Sequence, residues 1–170
     1  MRILGIDPGY AIVGWGVIET ANNSFVPLSF GAITTDSNMD FNLRLQHIYD
    51  ELEIIIKKYK PDAASIEKLY FQTNQKTAIM VAEARGVILL ALKKSNVDIF
   101  EYTPLQVKSA ITGYGKANKS QMMEMTKKLL RLKEVPKPDD TADALAIAIC
   151  HSHTRRMDIN TILKRRGNRN

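Results

Sequence analysis

Short apolar runs separated by turn-forming residues open the chain. The runs at 2–7, 12–19 and 25–34 are rich in β-branched and aromatic residues, a composition that is typical of strands. A Pro-Gly pair at 8–9 separates the first two runs, and an Ala-Asn-Asn-Ser stretch at 21–24 separates the second from the third. Both are sequences that favour turns. The pattern predicts three antiparallel strands joined by tight turns.

Helical and strand patterns alternate through the rest of the chain. Apolar residues recur at spacings of three and four up to Lys60-Pro61, as one face of an amphipathic helix requires. The later patterns follow the same logic, with Gly113 interrupting the helix that Pro104 begins. The predicted elements are a helix ending at residue 59, a strand at 63–67, a helix at 75–94, a strand at 97–102, and helices from 104, over 119–132 and over 139–153.

This order predicts an α/β fold with one five-stranded mixed sheet: three antiparallel strands followed by parallel additions, with helices on both faces. The pattern resembles the ribonuclease H-like fold. With 170 residues, of which 45% are hydrophobic, the chain can bury the core of a single domain. We assign residues 1–157 to that domain. The stretch 158–170 carries four basic residues and few apolar ones, which predicts a mobile basic tail.

Charge and cysteine content narrow the class of protein. The 24 Lys and Arg residues exceed the 18 Asp and Glu residues, giving a net charge of +6 and a pI near 9.4, which favours an anionic partner such as nucleic acid. The single Cys150 lies in an apolar run, where a buried small hydrophobe is expected and no disulfide can form within the chain. No segment has the pattern of a signal peptide or a membrane span. We therefore expect a cytoplasmic protein with no membrane partner.

Four acidic residues lie at the ends of predicted strands and at the start of a predicted buried helix, positions where catalytic sites are common in α/β folds. Asp7 ends the first strand and Glu67 ends the fourth, so both carboxylates meet at one sheet edge if these strands are parallel neighbours. Asp140 and Asp143 are spaced i,i+3 at the start of a buried helix and share one face. Such a cluster of carboxylates requires a divalent cation, Mg²⁺ or Mn²⁺, and predicts phosphodiester hydrolysis.

Each acid also has a plainer interpretation. Asp7 can be a turn residue before the Pro-Gly pair, and Glu67 can be a solvated strand end. Asp139 precedes Asp140 and is predicted to cap the helix, although a shift of one residue would exchange their roles. Cys150, His151 and His153 do not form a zinc site by this pattern, because residues two apart do not share a helical face.

An ordered set of motifs runs along the chain. The motifs are Gly5-Ile6-Asp7-Pro8-Gly9, Gly14-Trp15-Gly16, Ile66-Glu67, Gln106-Val107-Lys108, Gly113, Lys119-Ser120-Gln121 and Asp140-Thr141-Ala142-Asp143-Ala144-Leu145-Ala146. In residue type and in spacing, the set resembles the RuvC family of Holliday junction resolvases from residue 1 to residue 153. A single Gly-Ile-Asp turn, by contrast, also opens sugar kinases and actin-like ATPases.

The resemblance implies roles for individual residues. Asp7, Glu67, Asp140 and Asp143 match the metal-binding and catalytic acids, with one or two Mg²⁺ ions per subunit and Mn²⁺ as a substitute. Lys108 and Lys119 match the basic residues near the scissile phosphate, and Lys116 is a further DNA-binding candidate in the same basic segment. An aromatic residue that stacks on bases at the branch point matches Tyr70, with Phe71 as the alternative.

The resemblance also implies the assembly and the substrate. The family acts as a homodimer that nicks two strands of like polarity in a four-way DNA junction, during recombination and repair, alongside a branch-migration motor of the RuvA and RuvB type. The helix at 75–94 is the predicted dimer interface. Alternatives on the same fold are an RNA-processing nuclease and an actin-like phosphotransferase. A non-catalytic structural DNA-binding protein is the rival from another class, but it would not require four convergent acids.

Overall fold

A five-stranded mixed sheet forms the centre of the computed structural model, which describes residues 1–21, 24–68 and 75–167. The sheet order is β3-β2-β1-β4-β5. The first three strands are antiparallel, while β4 pairs in parallel with β1, and β5 pairs in parallel with β4. The predicted mixed sheet is therefore confirmed. The strands are β1 (Arg2–Asp7), β2 (Ile12–Ala21), β3 (Ser24–Thr34), β4 (Ala63–Glu67) and β5 (Asp98–Tyr102).

The strand register assigns side chains to the two faces of the sheet. Gly5 of β1 lies opposite Gly16 of β2 and Ser65 of β4, and Asp7 lies opposite Gly14. Because side chains alternate along a strand, residues 5 and 7 point to the same face and Ile6 points to the other. One face thus carries small residues that lead up to Asp7, while the opposite face is aliphatic.

Two helices, α1 (Phe41–Tyr59) and α2 (Gln75–Lys94), cover the aliphatic face. Asp40 caps α1 by accepting a hydrogen bond from the backbone N–H of Asn42, and Lys60 ends it in a left-handed conformation. Burial of this apolar cluster supplies much of the driving force for folding. Its fully buried members include Leu4, Ile6, Val17, Ile48, Leu52, Ile66, Ile88 and Leu92.

Three helices cover the opposite face: α3 (Pro104–Thr112), α4 (Lys119–Leu129) and α5 (Asp139–Gly167). Reciprocal hydrogen bonds between a capping residue and a glutamine start both α3 and α4. The methionine-bearing face of α4 is part of the core, and Met122 is buried there. Helix α5 contacts every strand of the sheet as well as α3 and α4, and residues 144–152 are buried on all its sides.

Glycines in β1 and β2 allow α5 to lie unusually close to the sheet. A Cβ atom at Gly5 would lie 2.0 Å from the carbonyl oxygen of Ala144, and a Cβ atom at Gly14 would lie 2.0 Å from that of Asp140. No side chain larger than hydrogen fits at these two positions. The glycines of the motifs therefore fix the height of the buried helix above the sheet edge that carries Asp7.

The structure differs from the predicted elements mainly at the helix ends. Helix α4 ends at Leu129 and not at the predicted residue 132. Helix α5 continues to Gly167 and does not end at the predicted residue 153. The assignment of residues 158–170 to a mobile tail stays a prediction. Cys150 is buried, as expected, and burial raises the pKa of its thiol to about 11. None of the helices in the described part of the chain is both long and apolar enough to cross a membrane.

Candidate active site

Asp7 and Glu67 lie at the carboxyl ends of two neighbouring parallel strands. Ile6 of β1 is paired with Ile66 of β4, so the residues that follow them leave the sheet at the same edge. The alternation of side chains directs both carboxylates to the face that α5 covers. The parallel arrangement assumed in the sequence argument is thus present.

Asp140, in the first turn of α5, and Asp143, in the next turn, approach the same edge. The close contact between Gly14 and the backbone of Asp140 places the start of this helix beside Asp7, since Gly14 and Asp7 are paired in the β1–β2 ladder. Acidic side chains are favourable in this part of a helix, because its first N–H groups carry a partial positive charge. Two strands and one helix therefore bring four carboxylates together.

The electrostatics of Asp7 show that these acids interact. Burial raises the pKa of Asp7 from 3.8 to about 7, with further increases from the negative charges of Asp143, Glu67 and Asp140, while Lys119 lowers it. The ionised form of Asp7 is therefore unfavourable in the folded protein when no cation is bound. A nearby divalent cation would stabilise the ionised form.

The neighbouring acids show the same pattern. Burial and the charge of Asp143 raise the pKa of Glu67, and Lys108 opposes the shift. Burial also raises the pKa of Asp143, while Lys119 lowers it through charge and a hydrogen bond. The ionised forms of Glu67 and Asp143, like that of Asp7, are thus destabilised by burial and by acidic neighbours, and nearby lysines offset part of this cost.

Two of the predicted lysines face the acids. Lys119 Nζ, at the first residue of α4, lies 3.3 Å from Asp143 Oδ2 and 3.5 Å from Asp139 Oδ2. Partial burial opposes ionisation of Lys119, but Asp143 and Asp139 raise its pKa overall. A cleft of about 240 Å³ lies between β4, α3, α4 and α5 and is lined by Glu67, Pro104, Val107, Lys108, Lys119, Met122, Asp143 and Ile147.

The remaining predicted residues are placed differently. Lys116 is exposed between α3 and α4, and no contact in the described part of the chain connects it to the acids. Tyr70 and Phe71 lie outside the described residues. Asp139 is the first residue of α5 and not the capping residue before it. Its carboxylate lies 3.0 Å from Lys137 Nζ and 3.5 Å from Lys119 Nζ.

Arg44, which the sequence pattern does not single out, supports the turn after Asp7. Arg44 is buried in α1 and donates hydrogen bonds from Nε to Thr35 Oγ1, at 2.8 Å, and from Nη2 to the carbonyl oxygen of Tyr10, at 3.3 Å. Its guanidinium group also lies over the Tyr10 ring, 4.9 Å from the centroid. Arg44 lies between Leu43 and Leu45, and because arginine is rarely buried, its residue type gives no sign of this role.

The donor set fits a hard divalent cation in its chemistry. Asp7, Glu67, Asp140 and Asp143 offer only carboxylate oxygens, which Mg²⁺ and Mn²⁺ prefer. Among the residues that the structure describes, no three His, Cys, Asp or Glu side chains are grouped closely enough to form a finished metal site. The mutual repulsion of the acids therefore supports a shared cation, while the described residues do not form a complete set of metal ligands.

Comparison with known proteins decides the family. The family model described as crossover junction endodeoxyribonuclease RuvC matches residues 3–151. The chain belongs to the RuvC family. The RuvC of Alkaliphilus oremlandii is 58% identical over 154 residues, covering 91% of this chain and 94% of that protein. The RuvC of Caldanaerobacter subterraneus is 54% identical over 157 residues, covering 92% and 95%. The predicted resemblance is confirmed.

Solved structures of RuvC proteins agree with this assignment. Thermus thermophilus RuvC in complex with Holliday junction substrate is 32% identical and superposes with a TM-score of 0.89, covering 93% of this chain and 96% of that one. All four acids lie within the 3–151 range of the RuvC family model. The sheet edge described above therefore lies within the part of the chain that matches the RuvC family model.

Proposed function

We propose that this chain resolves four-way DNA junctions by hydrolysing one phosphodiester bond in each of two strands of like polarity, during homologous recombination and repair. The observation that carries the proposal is the convergence of Asp7, Glu67, Asp140 and Asp143 at one sheet edge in a chain of the RuvC family. Its curated relatives are named crossover junction endodeoxyribonucleases. The excess of basic residues, +6 overall, suits a polyanionic substrate.

The four acids would hold Mg²⁺, with Mn²⁺ as a substitute, at one or two ions per subunit. When bound, such ions activate water and stabilise the leaving oxygen of a phosphodiester. Asp7 contributes a buried carboxylate whose ionisation depends on a nearby positive charge. Lys108 and Lys119, which line the cleft beside Glu67 and Asp143, would bind the phosphate and stabilise the negative charge that develops during hydrolysis.

A second copy of the chain is the proposed partner in solution. Helix α2 exposes Ile79 and Leu90, at 61% and 55% of their surface, and the small residues Ala82 and Gly86 lie exposed between them. A Cβ atom added at Gly86 would have no neighbour within 4 Å. An apolar surface with small residues at its centre lets two helices approach closely, and a two-fold dimer presents two identical sites to a junction.

Further DNA contacts, a partner protein and a cellular location complete the proposal. Tyr70, or Phe71 beside it, would stack on bases at the branch point, and Lys116 would contact DNA. A branch-migration motor of the RuvA and RuvB type would deliver the junction. The single buried thiol of Cys150 suits a reducing compartment, and we propose the cytoplasm.

The first prediction is that the chain cleaves a synthetic four-way junction but not linear duplex of the same sequence. Cleavage should need Mg²⁺ or Mn²⁺ and should stop in EDTA, because the acids repel one another without a cation. A supercoiled plasmid with an extruded cruciform reports on the dimer. Paired nicks within one complex yield linear DNA directly, whereas independent subunits yield nicked circles first.

Three results would contradict this proposal. Cleavage of the linear duplex at the same rate would show that the enzyme does not select junctions. Full activity in excess EDTA would show that cleavage does not need a metal ion. Faster cleavage of an RNA–DNA hybrid than of the junction would favour the RNA-processing alternative on the same fold.

The second prediction concerns Lys119, which faces Asp143 across the cleft. Lys119→Ala should lower the cleavage rate about 10²–10³-fold, the range for loss of one donor that stabilises transition-state charge. Junction affinity at fixed salt should change little, because Lys119 is one of 24 Lys and Arg residues in the chain, and the affinity for a phosphate backbone is shared among many such charges. Lys128→Ala is the matched control, since Lys128 is exposed on the same helix. Equal loss of rate in both variants would show that general charge, and not position, explains the effect.

A further inference from the structure

A buried polar pair connects β5 to α5 below the acidic cluster. The hydroxyl of Tyr102 and Nδ1 of His151 share a 2.7 Å hydrogen bond in the protein interior. Only 6% of Tyr102 and 2% of His151 are exposed. The ring of Phe100, two residues before Tyr102 on the same face of β5, packs against the imidazole with centroids 4.3 Å apart. Residues of β5 therefore hold one side chain of α5 through a directional bond and a ring contact.

Each member of the pair is connected to an acid of the site through its own secondary-structure element. Tyr102 is the register partner of Glu67 in the β4–β5 ladder, and its carbonyl oxygen accepts a hydrogen bond of 2.8 Å from the N–H of Lys68. His151 follows Asp143 by eight residues on α5, which is about two helical turns. The pair thus joins the strand beside Glu67 to the helix that carries Asp143.

The contact between α5 and β1 is made of small groups at its centre. Gly5 faces the backbone of Ala144 and the nitrogen and Cβ of Ala148. Axial position between packed elements comes from side chains of one element that fit between those of the other. Glycine against alanine gives close approach without such interlocking at this point. Contacts elsewhere on α5, which include Leu145 against Gly16 and the bond from Tyr102 to His151, must therefore fix its position along the strands.

The chemistry of His151 points to this directional role. Burial, together with the charge of Arg155, lowers the pKa of its imidazole to about 4, so the ring is neutral at physiological pH. Its Nε2 is buried and has no hydrogen-bond partner among the described residues. An apolar ring of similar size would fill this place without burying an unpaired polar atom, which costs free energy. Stability alone therefore does not explain a histidine here.

We propose that Tyr102 and His151 are positioning residues that fix α5 along the sheet and thereby hold Asp143 opposite Glu67. The inference rests on the proposed metal-dependent function of these acids. Neither residue touches the substrate. The pair acts through the distance between two carboxylates on different elements, and a change in that distance weakens the binding of a shared cation.

The test is Tyr102→Phe, which removes only the hydroxyl group. Mn²⁺ binding to the DNA-free protein, measured by isothermal titration calorimetry, should weaken about tenfold, as is common when a group that orients metal ligands is lost. The Mn²⁺ concentration that gives half-maximal junction cleavage should rise by the same factor. The rate at saturating Mn²⁺ should stay near that of the wild type, because the acids and Lys119 are unchanged.

Two substitutions of His151 separate position from bulk. His151→Asn keeps a polar atom near the place of Nδ1 and should retain most of the Mn²⁺ affinity. His151→Gln places its polar group near Nε2 and should bind Mn²⁺ as weakly as Tyr102→Phe. Thr126→Val is the matched control, because it removes another buried hydroxyl from the same face of the sheet, one that bonds only within α4. It should leave Mn²⁺ binding unchanged.

Unchanged Mn²⁺ affinity in Tyr102→Phe would overturn the proposal, as would an equal loss in Thr126→Val at matched melting temperature. Failure of the proposed function would look different. In that case the wild type would not cleave junctions at any Mn²⁺ concentration, and the calorimetric comparison of Tyr102→Phe with the wild type would still decide whether the pair positions the acids.

Discussion

Asp7→Asn is expected to abolish junction cleavage and, in the absence of metal, to make the protein more stable at neutral pH. The two effects have one cause. Burial and three neighbouring carboxylates raise the pKa of Asp7 to about 7, so its ionised form is unfavourable in the folded protein. Asparagine keeps the size of the side chain but removes both the charge and a metal ligand.

The sign of the pH dependence follows from the direction of the shift. A carboxyl group with a raised pKa in the folded state binds more protons there than in the unfolded chain, between pH 3.8 and about 7. The free energy of unfolding therefore falls as the pH rises through this window and stays low above it. The full cost is on the order of 4 kcal/mol. Asparagine should recover on the order of 2 kcal/mol at pH 8, because its buried amide is also imperfectly paired.

Urea unfolding of both proteins in EDTA, at pH 4 and at pH 8, measures this effect. The stabilities should be similar at pH 4 and should separate at pH 8. Asp50→Asn, which changes an exposed carboxylate on α1, is the control and should change neither stability nor cleavage. A wild type that is more stable than Asp7→Asn at pH 8 without metal would refute the electrostatic account of the site.

The sheet and the position of two acids could be predicted because local signals agree with the global fold. An apolar run that ends in an acid at Asp7 and again at Glu67 marks strand ends, and the order of elements makes β1 and β4 parallel neighbours. The i,i+3 spacing of Asp140 and Asp143 places them on one side of a helix regardless of tertiary context. Such features depend only on period and order along the chain.

Other features of the site depend on contacts that sequence periodicity does not encode. Arg44 looks like a solvated residue of an amphipathic helix, yet it is buried against the turn that follows Asp7. The sequence suggests His151 only as a zinc ligand, a role that its spacing excludes, yet its ring shares a hydrogen bond with Tyr102, which is distant in the sequence. The continuation of α5 to Gly167 crosses most of the basic stretch that the sequence predicts to be a mobile tail. In each case the decisive partner is far away in the sequence, or the local pattern is neutral.

Gly14→Ala should produce a large loss of both stability and cleavage, since the added methyl group meets backbone and not a mobile side chain. The new Cβ atom would lie 2.0 Å from the carbonyl oxygen of Asp140 and 2.3 Å from its carbonyl carbon. The first turn of α5 must therefore move away from β2. Overpacking of this kind costs about 1–3 kcal/mol, and a displacement of about 1 Å at a catalytic group can cost on the order of 100-fold in rate.

Gly16→Ala, one pleat further along β2, is the matched control. Its Cβ atom would lie 2.5 Å from Leu145 Cδ2 and 2.7 Å from Leu145 Cγ, atoms of a side chain that can change rotamer. Both variants should lose stability, but Gly14→Ala should lose far more cleavage per kcal/mol of stability lost, because only Gly14 touches the residue that carries a carboxylate of the site. Urea unfolding and single-turnover cleavage of the same preparations give the two quantities. If both variants lose the same amount of cleavage per kcal/mol of stability lost, the role of Gly14 is packing, and the positioning of Asp140 by this glycine is refuted.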